Sequence, residues 1–349
     1  MHPKFRHTFL PVVFGLLGFS VFPARFAAQG QTTTGSSTLA YYENDGGASS
    51  ASLKARFAQF NQLASDTYAV GPRGGVSGRT FSTDLKFARS NGIETFATVS
   101  NFAKNDFSPA IAHSIVKSAV NTRNFIASIR QKLVLGHYRG VNIDFEGVPA
   151  ADRNAFTAFV KTVSTKLHAG GYLVVLSAPA KSVDDPADSW TGAFDFAGLA
   201  PYIDVLQLMT YDENGTWGDP GPVAGLDWVQ AAVQYAVSVV PAGKVSLGIA
   251  AYGYDWDLNN SSANSQIAWT EIAPLITETN ASAQWDANSS SPYFTYTKNS
   301  HSHIVWYENA TSLGEKVALV NQYHLAGISV FALGMEDDSF WQAMHSGGH

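Results

Sequence analysis

Two hydrophobic periods alternate along this chain. In residues 140–148, apolar Val141, Ile143 and Phe145 interleave with polar Asn142, Asp144 and Glu146. A period of two sends successive side chains to opposite faces, so this stretch predicts a strand with three polar groups on one side. Phe156, Phe159, Val160, Val163 and Leu167 then recur at helical spacing, and Gly170-Gly171 ends the helix. Residues 172–177 (YLVVLS) form an apolar run of the kind a parallel sheet buries on both faces.

The rest of the chain follows the same rhythm. Further strands are predicted at 39–42, 67–70, 93–100, 203–209, 245–250 and 327–332. Helices are predicted at 52–63, 83–91, 110–136 with a break near Asn121, and 229–240. Ser312 to Glu315 reads as a capping box opening a last helix that runs to Tyr323. Eight strands with helical connections predict an α/β fold, a closed (β/α)8 barrel. Residues 256–309 do not fit the repeat. They read as a small α+β insertion between strand seven and its helix, with a β-hairpin pairing 293–297 with 303–307.

Composition narrows the picture. The 349 residues are 45% hydrophobic, enough for one sizeable barrel core. The net charge of -6 and the lack of a dense Lys/Arg cluster exclude a nucleic-acid partner. With no Cys, disulfides and thiolate metal sites are excluded; no cofactor or metal is expected. Residues 1–31 pair a basic start (Lys4, Arg6) with an apolar run, the pattern of a secretory signal or an uncleaved anchor. Residues 32–38 are a Thr/Ser/Gly linker, and 39–345 the barrel domain. The expectation is a monomer, secreted or in the cell wall, with no membrane contact after processing.

Burying Asp144 and Glu146 in an apolar strand needs a reason, because ionised carboxylates are costly to desolvate. One reading is a structural ion pair with Lys or Arg from elsewhere. The other is chemistry. Same-face neighbours on a strand lie about 6.6 Å apart at the backbone, so the two carboxyls can lean together. Like charges so near disfavour double ionisation and keep one carboxyl protonated near neutral pH. A protonated carboxyl at a barrel's C-terminal rim can protonate a glycosidic oxygen.

The run Gly140-Val141-Asn142-Ile143-Asp144-Phe145-Glu146 resembles the DGxDxDxE strand of glycoside hydrolase family 18, the chitinase family. It is most similar to the GVNIDFE form of bacterial peptidoglycan and spore-cortex N-acetylglucosaminidases. Met209-Thr210-Tyr211-Asp212 resembles the family's MxYD, and residues 247–256 (LGIAAYGYDW) its strand-seven run. Residues 291–308 resemble that subgroup's inserted hairpin.

The resemblance implies a retaining, substrate-assisted glycosidase acting on N-acetylglucosamine links of peptidoglycan or chitin. It implies Glu146 as acid and then base, Asp144 as the partner of the substrate's acetamido N–H, and Tyr211 as donor to the acetamido carbonyl. Asp212 would position that group, Asn142 would orient Asp144, and Met209 would lie against the sugar. Two departures stand out. Arg139 stands at the motif's first Asp, while Asn142 at its second is normal for the peptidoglycan subgroup, and Phe331 stands where the family places a Trp under the reacting sugar. Phe stacks with less area and no indole N–H. Tyr254 and Trp256 either shape the cleft or pack behind it, and Trp217 is a sugar platform or a loop-packing residue. His301 and His303 read as solvated turn residues rather than a metal site, for lack of a neighbouring carboxylate set. A non-catalytic carbohydrate-binding barrel is the alternative function.

Overall fold

In the computed structural model the described residues are 37–346, so the expected signal segment and most of the linker lie outside them. Eight parallel strands make the barrel: β1 (Ser37–Glu43), β2 (Gln62–Val70), β3 (Glu94–Ser100), β4 (Gly140–Asp144), β5 (Leu173–Pro179), β6 (Val205–Met209), β7 (Val245–Ala250) and β8 (Gly327–Phe331). Each pairs with its sequence neighbour, and β8 pairs with β1, so the sheet closes on itself. Ten helices are described: α1 (Ala48–Arg56), α2 (Ser82–Ser90), α3 (Pro109–Val116), α4 (Ala119–Gly136), α5 (Arg153–His168), α6 (Phe196–Leu199), α7 (Leu226–Val239), α8 (Trp269–Thr279), α9 (Ala310–Tyr323) and α10 (Asp338–Ser346).

The main core lies between the strands and the helical ring. On α5, Phe156, Phe159, Val160, Val163 and Leu167 are all buried. Phe159 stacks on Phe145, which follows β4, with ring centroids 5.5 Å apart. Burying each such side chain contributes roughly 1.5–3 kcal/mol, which fixes β4 against its helix. A smaller cluster fills the barrel itself, with Leu39, Tyr41, Ala64, Phe96 and Val175 pointing inward.

Four local expectations are corrected. The helix expected at 52–63 ends at Arg56, and Gln62 already begins β2. Alternation in QLASDTYAV was obscured by a register shift between Asp66 and Tyr68. The break expected near Asn121 falls earlier. Ser118 caps α4 by accepting from the Asn121 N–H, as Ser108 caps α3 with Pro109 behind it. The last barrel helix starts at Ala310, and Asn309 is its cap. Asn309 Oδ1 accepts from the Ser312 N–H at 3.0 Å, and Ser312 Oγ accepts from the Asn309 N–H at 2.9 Å. Finally, the insertion begins at Tyr252, ahead of Trp256. It is a five-stranded sheet (Tyr252–Asp257, Ser265–Ala268, Gln284–Asp286, Ser291–Lys298, His301–Trp306) carrying α8, with the expected hairpin turning at Asn299-Ser300.

Candidate active site

The C-terminal ends of the strands surround a cleft of about 860 Å³. Asp144 is the last residue of β4, so Glu146 stands just past the strand rather than within it. The backbone there is held from the neighbouring strand. Asn101, directly after β3, donates from Nδ2 to the Glu146 carbonyl at 2.8 Å and accepts from the Glu146 N–H at 2.9 Å. Gly147 follows with φ 59°, the left-handed geometry that turns the chain away immediately behind the carboxyl.

Asp144 and Glu146 both line the cleft. Burial pushes the Asp144 carboxyl above the usual carboxylate range, and a hydrogen bond from Ser177 partly opposes that. Glu146 is pushed up further, first by burial, then by the charge of Asp144, then by Asp212, Asp66 and Asp106. Among the described residues no Lys, Arg or His lines the cleft, which counts against the structural ion-pair reading of the two carboxyls. Arg139 sits at the opposite end of β4. It donates to the Gly171 carbonyl at 2.9 Å and approaches Glu94 at 3.4 Å.

Asn142 is fully buried inside the barrel, behind the cleft surface. Its Nδ2 donates to Ser177 Oγ at 2.9 Å, and Ser177 is the group that bonds Asp144. Asn142 therefore reaches Asp144 through Ser177 and does not meet the cleft. The Tyr41 hydroxyl joins the same serine at 3.3 Å.

Across the cleft, Met209 ends β6, and Tyr211 and Asp212 follow it. Tyr211 packs between Phe331 and Tyr252, with ring centroids 6.0 and 6.3 Å away. Gly248 makes that position available, since a Cβ there would meet the Leu208 carbonyl at 2.3 Å and the Tyr211 ring at 2.9 Å. Asp212 adopts φ 64°, and its Oδ1 accepts from the Tyr252 and Tyr254 hydroxyls, each at 2.7 Å. Burial raises the Asp212 carboxyl while those two donors lower it. Phe331 forms an aromatic floor with Tyr41 at 5.6 Å and Tyr211.

Tyr254 and Trp256 pack behind this wall. The Trp256 indole N–H donates to the Gly218 carbonyl at 3.1 Å. Trp217 touches Tyr254 edge-on at 6.0 Å yet remains 71% exposed, so simple loop packing does not account for it. The histidines do have carboxylate neighbours, contrary to expectation. His301 Nδ1 lies 2.7 Å from Asp257, and His303 Nδ1 lies 3.0 Å from Asp255 while stacking on Tyr296. The partners come from the adjacent strand of the insertion, a pairing invisible in the local sequence. Among the described residues no cluster of three metal-ligating side chains forms.

Sequence reasoning missed Tyr41, Asp66, Asn101, Ser177 and Tyr252. Four of them lie near the C-terminal ends of barrel strands or just past them, so each could have been sought there; Tyr41, Ser177 and Tyr252 line the cleft, and Asn101 is buried behind it. Asp66 was lost with the misread start of β2. It sits at the register shift, where a bulge re-aims a side chain.

A closed parallel barrel with a buried carboxyl pair at its C-terminal rim defines a glycosidase-type site. Residues 37–336 match the family described as glycosyl hydrolases family 18, and the chain belongs to that family. It is 37% identical over 322 residues to the uncharacterized glycosylase YvbX of Bacillus subtilis (strain 168), covering 91% of this chain and 93% of that one. It is 26% identical over 247 residues to the cortical fragment-lytic enzyme of the same organism, covering 70% of this chain and 57% of that one. A chitinase crystal structure from Chromobacterium violaceum ATCC 12472 superposes with a TM-score of 0.85 at 36% identity, covering 90% of this chain and 99% of that chain.

Proposed function

We propose that the protein is a secreted or wall-acting hydrolase of β-1,4 links at N-acetylglucosamine residues, using a retaining, substrate-assisted mechanism. The observation that carries this reading is the Asp144/Glu146 pair, with Glu146 raised by burial and by Asp144, facing Tyr211 and Asp212 across one cleft.

Glu146, protonated near neutral pH, gives its proton to the glycosidic oxygen as the bond from that oxygen to the anomeric carbon breaks. The substrate's own acetamido oxygen forms the new bond to the anomeric carbon, in place of the enzyme nucleophile of the two-carboxylate retaining scheme. Asp144 accepts the acetamido N–H and offsets the positive charge that develops on the group. The Tyr211 hydroxyl makes no hydrogen bond to a described residue, which leaves it free to donate to the acetamido carbonyl oxygen. Asp212 likewise keeps Oδ2 unbonded for the sugar, with Oδ1 anchored by two tyrosines. Water then attacks the anomeric carbon as the bond to the acetamido oxygen breaks and the acetamido group is restored, and the Glu146 carboxylate takes the water's proton. Phe331 and Met209 line the cleft beside this point and would hold the reacting sugar by stacking and contact.

Chitin and peptidoglycan both carry the required acetamido group, and the names of the relatives point to each. No helix of the described residues is long and apolar enough to cross a membrane. Proton NMR of the first product formed from chitin oligomers tests the mechanism. A fresh β-anomer is expected, and a fresh α-anomer would refute retention. The smaller aromatic floor at Phe331 favours a second reading, a carbohydrate-binding barrel that does not cleave; binding without any product would establish it.

A further inference from the structure

The cleft is lined by acidic groups and no basic ones among the described residues, and by more of them than the proposed chemistry requires. Six carboxyls line it: Asp66, Asp106, Asp144, Glu146, Asp212 and Glu213. Two or three would serve the reaction. The others arrive on separate elements: Asp66 on β2, Asp106 on the short hairpin after β3, and Glu213 after β6. Among the described residues no Lys, Arg or His lines the cleft; only Glu213 is answered from behind, by the charge of Lys316 and by the Gly225 N–H at 2.6 Å. Lys181, next to the cleft-lining Ala180, is turned inward, where its Nζ donates to Asp184 at 2.7 Å and to the Phe194 carbonyl at 2.6 Å. Lys104, at the tip of the 102–107 hairpin, is exposed to solvent and outside the lining.

Resting on the hydrolase reading, we infer that the cleft is charge-selective: it accepts neutral and free-amine amino-sugar chains and excludes chains bearing carboxylates near the scissile bond. The physical reasons are independent of which residue is catalytic. In a cleft with low-dielectric walls, the carboxyls that do ionise carry one sign of charge and focus their field on whatever enters. Asp66 makes no hydrogen bond or ion pair with a described residue and borders the same space as Asp144. Asp106 is exposed on the rim and close enough to Glu146 to raise it. A lactyl or peptide carboxylate on a bound strand would add a further negative charge to groups that already oppose one another's ionisation. An ammonium from a deacetylated glucosamine would relieve that repulsion, provided the sugar at the reacting position keeps its acetamido group.

Peptidoglycan strands with free carboxylates, the same strands with carboxylates amidated, and partially deacetylated chitin oligomers separate these outcomes. Initial rates would be measured at about 20 mM and about 500 mM salt, spanning strong and weak screening. Amidated strands are expected to be cut roughly tenfold faster than unmodified ones at low salt, with the gap closing at high salt. Deacetylated oligomers should lose rate as salt rises. Asp106→Asn should narrow the gap between the two strands. Equal low-salt rates for intact and amidated strands would overturn the inference. If no substrate is cut, the hydrolase reading fails by itself. Binding of the same three ligands to Glu146→Gln then decides charge selection: graded affinities support it, and equal affinities overturn it.

Discussion

Asn101 grips Glu146 at both backbone polar groups, donating to its carbonyl at 2.8 Å and accepting from its N–H at 2.9 Å. Because Glu146 lies beyond the end of β4, the sheet ladder does not position it; a fully buried side chain directly after the neighbouring β3 does. Asn101→Ala should therefore lower kcat/KM by about 10- to 100-fold, the scale of a small misplacement of a reacting group. Asn101→Asp, which keeps the acceptor, should lose less. Steady-state kinetics with a thermal melt for each variant checks this, since the fold should be retained.

Ser177 bonds Asp144 and opposes the upward push of burial on that carboxyl. Ser177→Ala removes the opposition, so the Asp144 carboxyl moves up. The proposed chemistry needs Asp144 ionised, and the acid limb of the kcat/KM profile should then move to higher pH. A pH–rate series on chitin oligomers reads the shift; an unmoved acid limb would separate Ser177 from Asp144.

Asp66 acts on Glu146 in the opposite sense. Its carboxyl, along with Asp144, Asp212 and Asp106, helps raise Glu146. Asp66→Asn removes one negative neighbour, so ionised Glu146 becomes easier to form. Because the acid must be protonated, the basic limb should move to lower pH. The same pH–rate series detects it.

Lys316, on α9, and Glu308, just before that helix, form a buried ion pair at 2.6 Å, with Ser312 donating to the same carboxylate. Lys316→Met leaves Glu308 buried without its cation and should cost about 3–5 kcal/mol in urea unfolding. The double variant Lys316→Met/Glu308→Leu should recover most of that loss. A single variant as stable as wild type would contradict the assignment.

Much of this organisation was legible in the sequence, for physical reasons. Strands buried on both faces read as apolar runs, and α5 declared itself through a clean 3.6-residue stripe. The polar side of 140–146 stood out because polar groups are rarely buried without purpose. The misses follow from contacts distant in sequence. Asp66 was hidden by a register shift within β2, and Ser177 and Asn101 are single polar residues, one near the end of β5 and one just past β3. The carboxylate partners of His301 and His303 come from a strand more than forty positions earlier, which no local pattern reveals.

The most direct test of the central claim is release of new reducing ends from chitin oligomers and from cell-wall sacculi by wild type and Glu146→Gln, with binding measured in parallel. The expected result is cleavage of chitin oligomers by wild type, with sacculi cut more slowly while their carboxylates are free, and a loss of about 10²- to 10⁴-fold in Glu146→Gln, the range assigned to general acid–base catalysis, with binding retained. Binding of both substrates by wild type with no reducing ends released, or cleavage by Glu146→Gln at the wild-type rate, would contradict it.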